Sequence, residues 1–322
     1  MVHSPVLVVT SLGDVTADLV LHELCGRGVP AVRLDPAADF PDTAQVSSRI
    51  GGIGLTGDLT TATRHLDLSS VRSVYWRRPT PYGDPRSAES SGQRFTVEQS
   101  RAGYTGVLLA LPSVLHVNHP VRNRAADYKP VQLATAARLG LAVPETLITN
   151  SPVEARKFAA EHESVIYKPV HGVHLAGEDG RNRTVWTGRV HSNEIDDSIA
   201  LCPHLFQSCV RKVADIRVAA VGGQVFATRI DTDGDHLDWR QDQRLITCSP
   251  VPFVPPDIRE AVRSYLDAFG LVFGAFDFAL DGDGRWWFLE CNPNGQWAFV
   301  DQPTTKAITT ALADTLQKGT TA

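Results

Sequence analysis

Residues 274–292 read Gly274-Ala275-Phe276-Asp277-Phe278-Ala279-Leu280-Asp281-Gly282-Asp283-Gly284-Arg285-Trp286-Trp287-Phe288-Leu289-Glu290-Cys291-Asn292. Two apolar, aromatic-rich runs flank Asp281–Gly284, the pattern of a β-hairpin. With those four residues as the loop, Leu280 pairs with Arg285 and Asp277 with Phe288. Paired residues share a face and side chains alternate along a strand. Asp277, Phe288, Glu290 and Asn292 then share one face, and Trp287, Leu289 and Cys291 point the other way. Two carboxylates and an amide converge among apolar neighbours, where an unpaired charge is costly to bury. A bound cation removes that cost. An oxygen-only set suits Mg²⁺, which keeps waters and phosphate oxygens, and does not suit zinc, which takes His or Cys. The competing reading is a polar strand end left in solvent.

Working upstream, Asp215–Val221 and Gln224–Ile230 form a second hairpin around Gly222-Gly223, and Leu205–Val210 is a strand. Val165–Pro169 is an apolar strand carrying Lys168, followed by a glycine-rich stretch, 171–183, and a strand Thr184–Thr187. Gly172, Gly177 and Gly180 suit a flap whose N–H groups cradle anions. Helices are expected over Ala125–Leu139, Pro152–Glu161, Asp257–Phe269 and Thr304–Gln317. At the start, strands Val6–Thr10 and Ala31–Leu34 bracket a helix capped by Asp14 or Thr16 and stopped at Gly26-Arg27-Gly28, which argues for a parallel sheet. Arg49–Leu55 reads as a strand and turn, Val71–Trp76 and Val114–Asn118 as strands, and Arg94–Ala110 as a helix. The fold class is α/β, with α+β character in the C-terminal half. The expected divisions are 1–124, 125–204 and 205–322.

A chain of 322 residues suits two domains, or one with a large subdomain. Its net charge of −5 offers no polyanion-binding surface, so nucleic acid is not expected as a partner. No apolar run is long enough to span a bilayer, and residues 1–10 lack the basic start and apolar core of a signal segment. The five cysteines are scattered, with no Cys-x-x-Cys pair, which fits reduced thiols and a cytoplasmic location. No Gly-x-Gly-x-x-Gly follows the first strand, so a dinucleotide site is poorly supported.

An Asp on one strand and Glu-x-Asn on the next resembles the metal signature of the ATP-grasp superfamily, here Asp277 and Glu290-Cys291-Asn292. The resemblance runs from Lys129 to the C-terminus and implies ATP with Mg²⁺, two ions in all, held by Asp277, Glu290 and Asn292. It implies a small lid subdomain over 125–204 and a catalytic subdomain over 205–322, after an N-terminal pre-ATP-grasp domain. Lys129 and Lys168 stand where the family contacts ATP phosphates, and Gln207-Ser208-Cys209-Val210 where its hinge binds adenine. Asp215, Arg217 and Arg229 match positions near the phosphates. Structural readings stay open: surface lysines for Lys129 and Lys168, and an ion pair with Asp215 for Arg217.

Tyr75-Trp76-Arg77-Arg78-Pro79, Asn118-His119-Pro120, Asp238-Trp239-Arg240 and Asn292-Pro293-Asn294-Gly295-Gln296-Trp297 resemble the graspetide macrocyclases, the microviridin-type ATP-grasp enzymes that mature ribosomal peptides. This implies a precursor peptide partner, with a leader and a core rich in Thr, Ser, Asp and Glu, and a homodimer. Side-chain carboxylates would be phosphorylated and joined to Thr or Ser hydroxyls as ω-esters. Arg240, and with it Arg77 and Arg78, would position the substrate carboxylate. For Arg77 and Arg78 a salt bridge at a domain junction competes. Glu194, Asp196 and Asp197 lie where the family binds the leader; a solvated helix start competes. The alternatives in function are an amide-forming ATP-grasp ligase and a nucleotide-binding module without turnover.

Overall fold

The computed structural model describes residues 4–52, 54–83, 90–172, 174–176, 182–233 and 237–319. Strand β1 (Val6–Val9) is buried at every position, as a strand covered on both faces must be. Asp14 caps α1 (Val15–Gly26), its Oδ1 accepting from the Thr16 and Ala17 N–H groups. Strand β2 (Ala31–Leu34) follows, and then a single turn, α2 (Pro36–Asp39).

The expected single strand over Arg49–Leu55 is instead part of a three-stranded antiparallel sheet: β3 (Ala44–Gly51), β4 (Gly54–Thr61) and β5 (His65–Asp67). Its core side is only a few residues, among them Ala44, Leu55, Leu59 and Leu66. The rest is polar or glycine apart from an exposed Ile50, and that hides the alternation. Strand β6 (Ser73–Trp76), helix α3 (Ser91–Leu109) and strand β7 (Leu115–Val117) complete this half, with a parallel sheet in the order β2-β1-β6-β7.

The expected helix over Ala125–Leu139 is broken in two. Helix α4 (Pro120–Ala126) ends at Asp127, and α5 (Lys129–Arg138) restarts with Pro130 in its first turn. A proline costs nothing there, since the N–H it lacks has no partner in a first turn. The break leaves Lys129 at a helix start.

Strand β8 (Thr146–Thr149), helix α6 (Pro152–Glu161) and strand β9 (Val165–Lys168) open the next sheet. Strands β10 (His174–Ala176) and β11 (Asn182–Thr184) pair with each other, and β12 (Gly188–Val190) joins β9, so the expected strand over Thr184–Thr187 overlaps β11 at Thr184 and otherwise falls between β11 and β12. Gly177 and Gly180 lie outside the described residues. Strand β13 (His204–Ser208) pairs with β8 and β9. A division after residue 204 would therefore cut a strand from its own sheet; the sheets change at 209–211.

The last sheet is antiparallel, in the order β16-β15-β14-β17-β18. It comprises β14 (Lys212–Val221), β15 (Gln224–Thr232), β16 (Ile246–Val251), β17 (Phe273–Asp281) and β18 (Trp286–Asn292), with α7 (Pro256–Phe269) and α8 (Gln302–Lys318). Gly222 and Gly223 have φ of +55° and +82°, the tight turn that glycine allows. One face, with Ile216, Val218, Phe276, Phe278 and Phe288, packs on α5 and α7. The other face is divided. Ala219, Val221, Phe273 and Ala275 pack with α8 and with Val6, Val8 and Val20 of the N-terminal half. Beyond them, Asp215, Asp277 and Ala279 floor a cleft. Among the described residues no helix is long and apolar enough to cross a membrane.

Candidate functional site

The cleft, of about 570 Å³, lies between the β8–β13 sheet and the β14–β18 sheet. Its floor corrects the expected hairpin register. Leu280 pairs with Trp286 and Phe278 with Phe288; a bulge then shifts the register, so Asp277 faces Glu290 and Ala275 faces Asn292. Asp277, Glu290 and Asn292 still share a face. Phe288 does not: it is fully buried in the core. Trp287, expected on the face away from Asp277, stands opposite Ala279 and donates from Nε1 to Asp281 Oδ2 at 2.8 Å.

Cations surround both carboxylates. Arg217, directly across from Asp277, donates from Nη1 to Asp277 Oδ1 at 2.8 Å and from Nη2 to the Gln296 carbonyl at 2.8 Å. Arg217 thus pairs with Asp277, and Asp215 takes Lys212 Nζ at 2.5 Å. Burial raises the Asp215 carboxyl to about 6 against the opposing pull of Lys212. Glu290 has Arg240 Nη1 at 3.0 Å and Lys129 Nζ at 3.4 Å. Burial alone would raise its carboxyl, but Lys129, Arg240 and Lys168 outweigh burial and hold it well below the usual carboxylate range. Arg240 is itself oriented by Asp238, at 2.8 Å and 2.9 Å to the two carboxylate oxygens.

Lys168 differs in kind. Its Nζ donates to the neutral Gln207 Oε1 at 2.8 Å, and Gln207 Nε2 donates to Thr146 Oγ1 at 2.8 Å. Burial pulls the Lys168 ammonium down to about 8. A buried cation held on an amide is stabilised by an anionic ligand. Ser208, Cys209 and Val210 line the wall beside it; Ser208 and Cys209 are fixed by N–H bonds to the Glu145 and Ser164 carbonyls.

Other expected residues lie elsewhere. Arg229 sits opposite Ile216, on the face away from Asp277, and bonds Asp231; it does not reach the cleft. Arg77 is 2% exposed, donates to Gln296 Oε1 at 2.6 Å and to the Asn294 carbonyl, and lies 3.5 Å from Asp14. It joins the two halves of the molecule beneath the site. Arg78 reaches the cleft edge and donates twice to the Asn294 carbonyl. Glu194 and Asp196 accept from backbone N–H groups of His191 and Ser198, and Asp197 pairs with Arg156; all three are outside the cleft.

Two buried carboxamides brace the site. Asn118 Oδ1 accepts from the Val272 and Phe273 N–H groups, and its Nδ2 donates to the Phe273 and Pro293 carbonyls. Gln132 holds both main-chain groups of Cys291. Asn118 opens the Asn118-His119-Pro120 motif. Gln132 carried only its spacing of three from Lys129, which places both on one helix face.

Among the described residues no three His, Cys, Asp or Glu side chains form a metal cage. Two acids and an amide fit Mg²⁺, which takes few protein ligands beside phosphate and water. Arg217 uses only Oδ1 of Asp277, so its bond does not preclude a metal at the second oxygen.

Residues 5–124 match the MvdD pre-ATP grasp domain family. Over the whole chain, the structure resembles a RiPP-associated ATP-grasp ligase of Chryseobacterium gregarium, solved with ADP and a leader and core peptide. Identity is 25%, TM-score 0.86, with 97% of this chain and 96% of that chain covered. It also resembles the macrocyclase MdnC of Microcystis aeruginosa MRC, bound with precursor peptide MdnA, at 27% identity and TM-score 0.83, covering 97% and 98%. The macrocyclase MdnB of the same organism matches at 27% identity and TM-score 0.76, covering 97% and 99%. No curated protein matches.

Proposed function

We propose that this chain, an ATP-grasp ligase with an MvdD-type pre-ATP-grasp domain, uses Mg²⁺ and ATP to phosphorylate Asp or Glu side chains of a ribosomal precursor peptide. It then couples them to Thr or Ser hydroxyls of the same peptide as ω-esters. The observation that carries this reading is Asp277 facing Glu290 on the cleft floor, with Lys129 and Arg240 on Glu290. The peptides bound to the similar Chryseobacterium and Microcystis enzymes support the substrate class.

Mg²⁺ on Asp277, Glu290 and Asn292 would offset phosphate charge. Lys129 and Lys168 hold the phosphates, and the 207–210 wall holds the base. Arg240 and Arg78 orient the substrate carboxylate. A carboxylate oxygen attacks the γ-phosphorus and ADP departs, leaving an acyl phosphate. The hydroxyl oxygen then attacks that carbonyl, gives up its proton, and phosphate leaves. Two groups on one peptide make the second step effectively intramolecular. The lid over 125–211 must exclude water, which would hydrolyse the acyl phosphate.

Mass spectrometry of an acidic, Thr-rich peptide incubated with the protein and Mg²⁺–ATP tests the reading. Each ring removes one water, and mild alkali reopens esters but not amides. Rings that survive alkali would replace ester chemistry with amide formation; no ATP consumption with any such peptide would sink the catalytic reading. Asp277→Asn and Glu290→Gln should each lower turnover by about a hundredfold or more, since charge stabilisation at the phosphates is lost, with a folded far-UV spectrum retained.

A further inference from the structure

Resting on the Mg²⁺ and ATP reading above, we infer that Gln132 is a positioning residue for the metal ligands. It locks the backbone of Cys291, so that Glu290 and Asn292 on either side face the cleft together. It also ties that strand to the helix turn bearing Lys129.

Strand β18 is at the edge of its sheet; among the described residues its outer main-chain groups meet a single bridge, Ala142 with Trp287 and the Phe288 N–H, and no paired strand at Cys291. Gln132 stands in for one. Its Oε1 accepts from the Cys291 N–H at 2.9 Å, and its Nε2 donates to the Cys291 carbonyl at 2.8 Å. That double bond to one residue is what a paired residue on an antiparallel strand would give. The remaining Nε2 hydrogen goes to the Ala126 carbonyl at 2.6 Å, at the end of α4. These three bonds fix which way the amide points: a flip would set N–H against N–H and oxygen against two carbonyls. The side chain is 3% exposed, so water does not replace these partners cheaply.

The strand needs such a hold. The register shift between Asp277 and Phe278 marks a bulge, and bulges increase local twist and weaken the ladder. Only Glu290, Cys291 and Asn292 follow it before the strand ends. Lys129 and Gln132 are three apart on α5 and face the same way; Lys129 Nζ meets Glu290 Oε2 while Gln132 meets Cys291. One helix turn therefore sets both the phosphate-binding ammonium and the strand between two metal ligands.

The test is Mn²⁺ binding to the protein–ADP complex, followed by electron paramagnetic resonance, with ADP affinity in EDTA and thermal midpoint measured alongside. Gln132→Met keeps the length and removes all three bonds. It should weaken Mn²⁺ binding by about tenfold, as loss of a group that orients a ligand does. Metal-free ADP affinity should fall by less than the Mn²⁺ affinity, no more than about threefold, since only Lys129 among the nucleotide contacts sits on the loosened turn. Gln132→Leu, which also removes all three bonds and adds no charge, should behave likewise, and serves if the Met variant does not fold. A lowered midpoint with unchanged Mn²⁺ affinity in the folded variants would make Gln132 a packing residue and overturn the inference. No Mn²⁺ binding by the unaltered protein would sink the metal reading itself, and this inference with it.

Discussion

A methyl group at Gly295 would lie 2.4 Å from Ala275 Cβ and 2.6 Å from Arg217 Nη2. Neither neighbour can retreat freely, because Ala275 is a buried strand residue and Arg217 spans Asp277 and the Gln296 carbonyl. Gly295→Ala should therefore pull Arg217 from Asp277. Overpacking of this kind costs about 1–3 kcal/mol, read as a lower thermal midpoint, and ATP turnover should fall about tenfold, an activation cost of about 1.4 kcal/mol. The face of each arginine could be worked out from residue order. A turn at Gly222-Gly223 pairs Arg217 with Thr228 and Arg229 with Ile216, which puts the two arginines on opposite faces. Arg229 matches a phosphate position by likeness alone, and strand alternation places it on the opposite face from Arg217. Gln132 was not legible, because its partner lies 159 positions along the chain.

At the scale of the element, the β17–β18 hairpin was legible in its chemistry and not in its register. The pairing expected from a four-residue loop is off by one at Leu280 and by two at Asp277. An offset of two restores parity, so Asp277 and Glu290 meet although Phe288 and Trp287 exchange faces. Nothing local, neither glycine nor proline, marks the bulge at Leu289. The β3–β5 sheet was not legible for another reason: its strands bury too few apolar residues to display a period. Strand β7 carries a titration with a definite sign. Burial, then His119 and Arg122, push the His116 imidazole down to about 4. The unfolded chain binds a proton near pH 6.5 that the folded chain refuses until about 4. Stability is thus fully present above about pH 6.5 and falls as pH drops towards 4; the full shift is worth about 3 kcal/mol, which solvent at the part-exposed ring cuts to about 1–2 kcal/mol. Thermal melts between pH 7 and 4.5 should show the decline, and His116→Asn should flatten it.

Across the whole molecule, the two ends of the chain share one core. Ile308, Leu312 and Leu316 of α8 pack with Val6, Val8, Ala17 and Val20. Ser73 Oγ donates to the Leu316 carbonyl, and Arg27 pairs with Asp314. Arg77, Thr16 and Asn118 reach from the N-terminal half to the loop that follows Asn292. Deleting residues 302–322 should leave the apolar face of β1 and α1 open and convert the protein to an aggregate without a cooperative melt, as size-exclusion chromatography and calorimetry would register. A melt like that of the full chain would contradict this. The parallel order at the start was readable from alternating strands and helices; its dependence on a helix nearly 300 residues later was not.

That dependence has a temporal side. A ribosome releases the chain from its N-terminus at about 5–20 residues per second. The first sheet therefore emerges well before α8, and for that interval Val6, Val8 and Val20 lack their final cover. The N-terminal half of this protein must wait, exposed or chaperoned, until α8 is made.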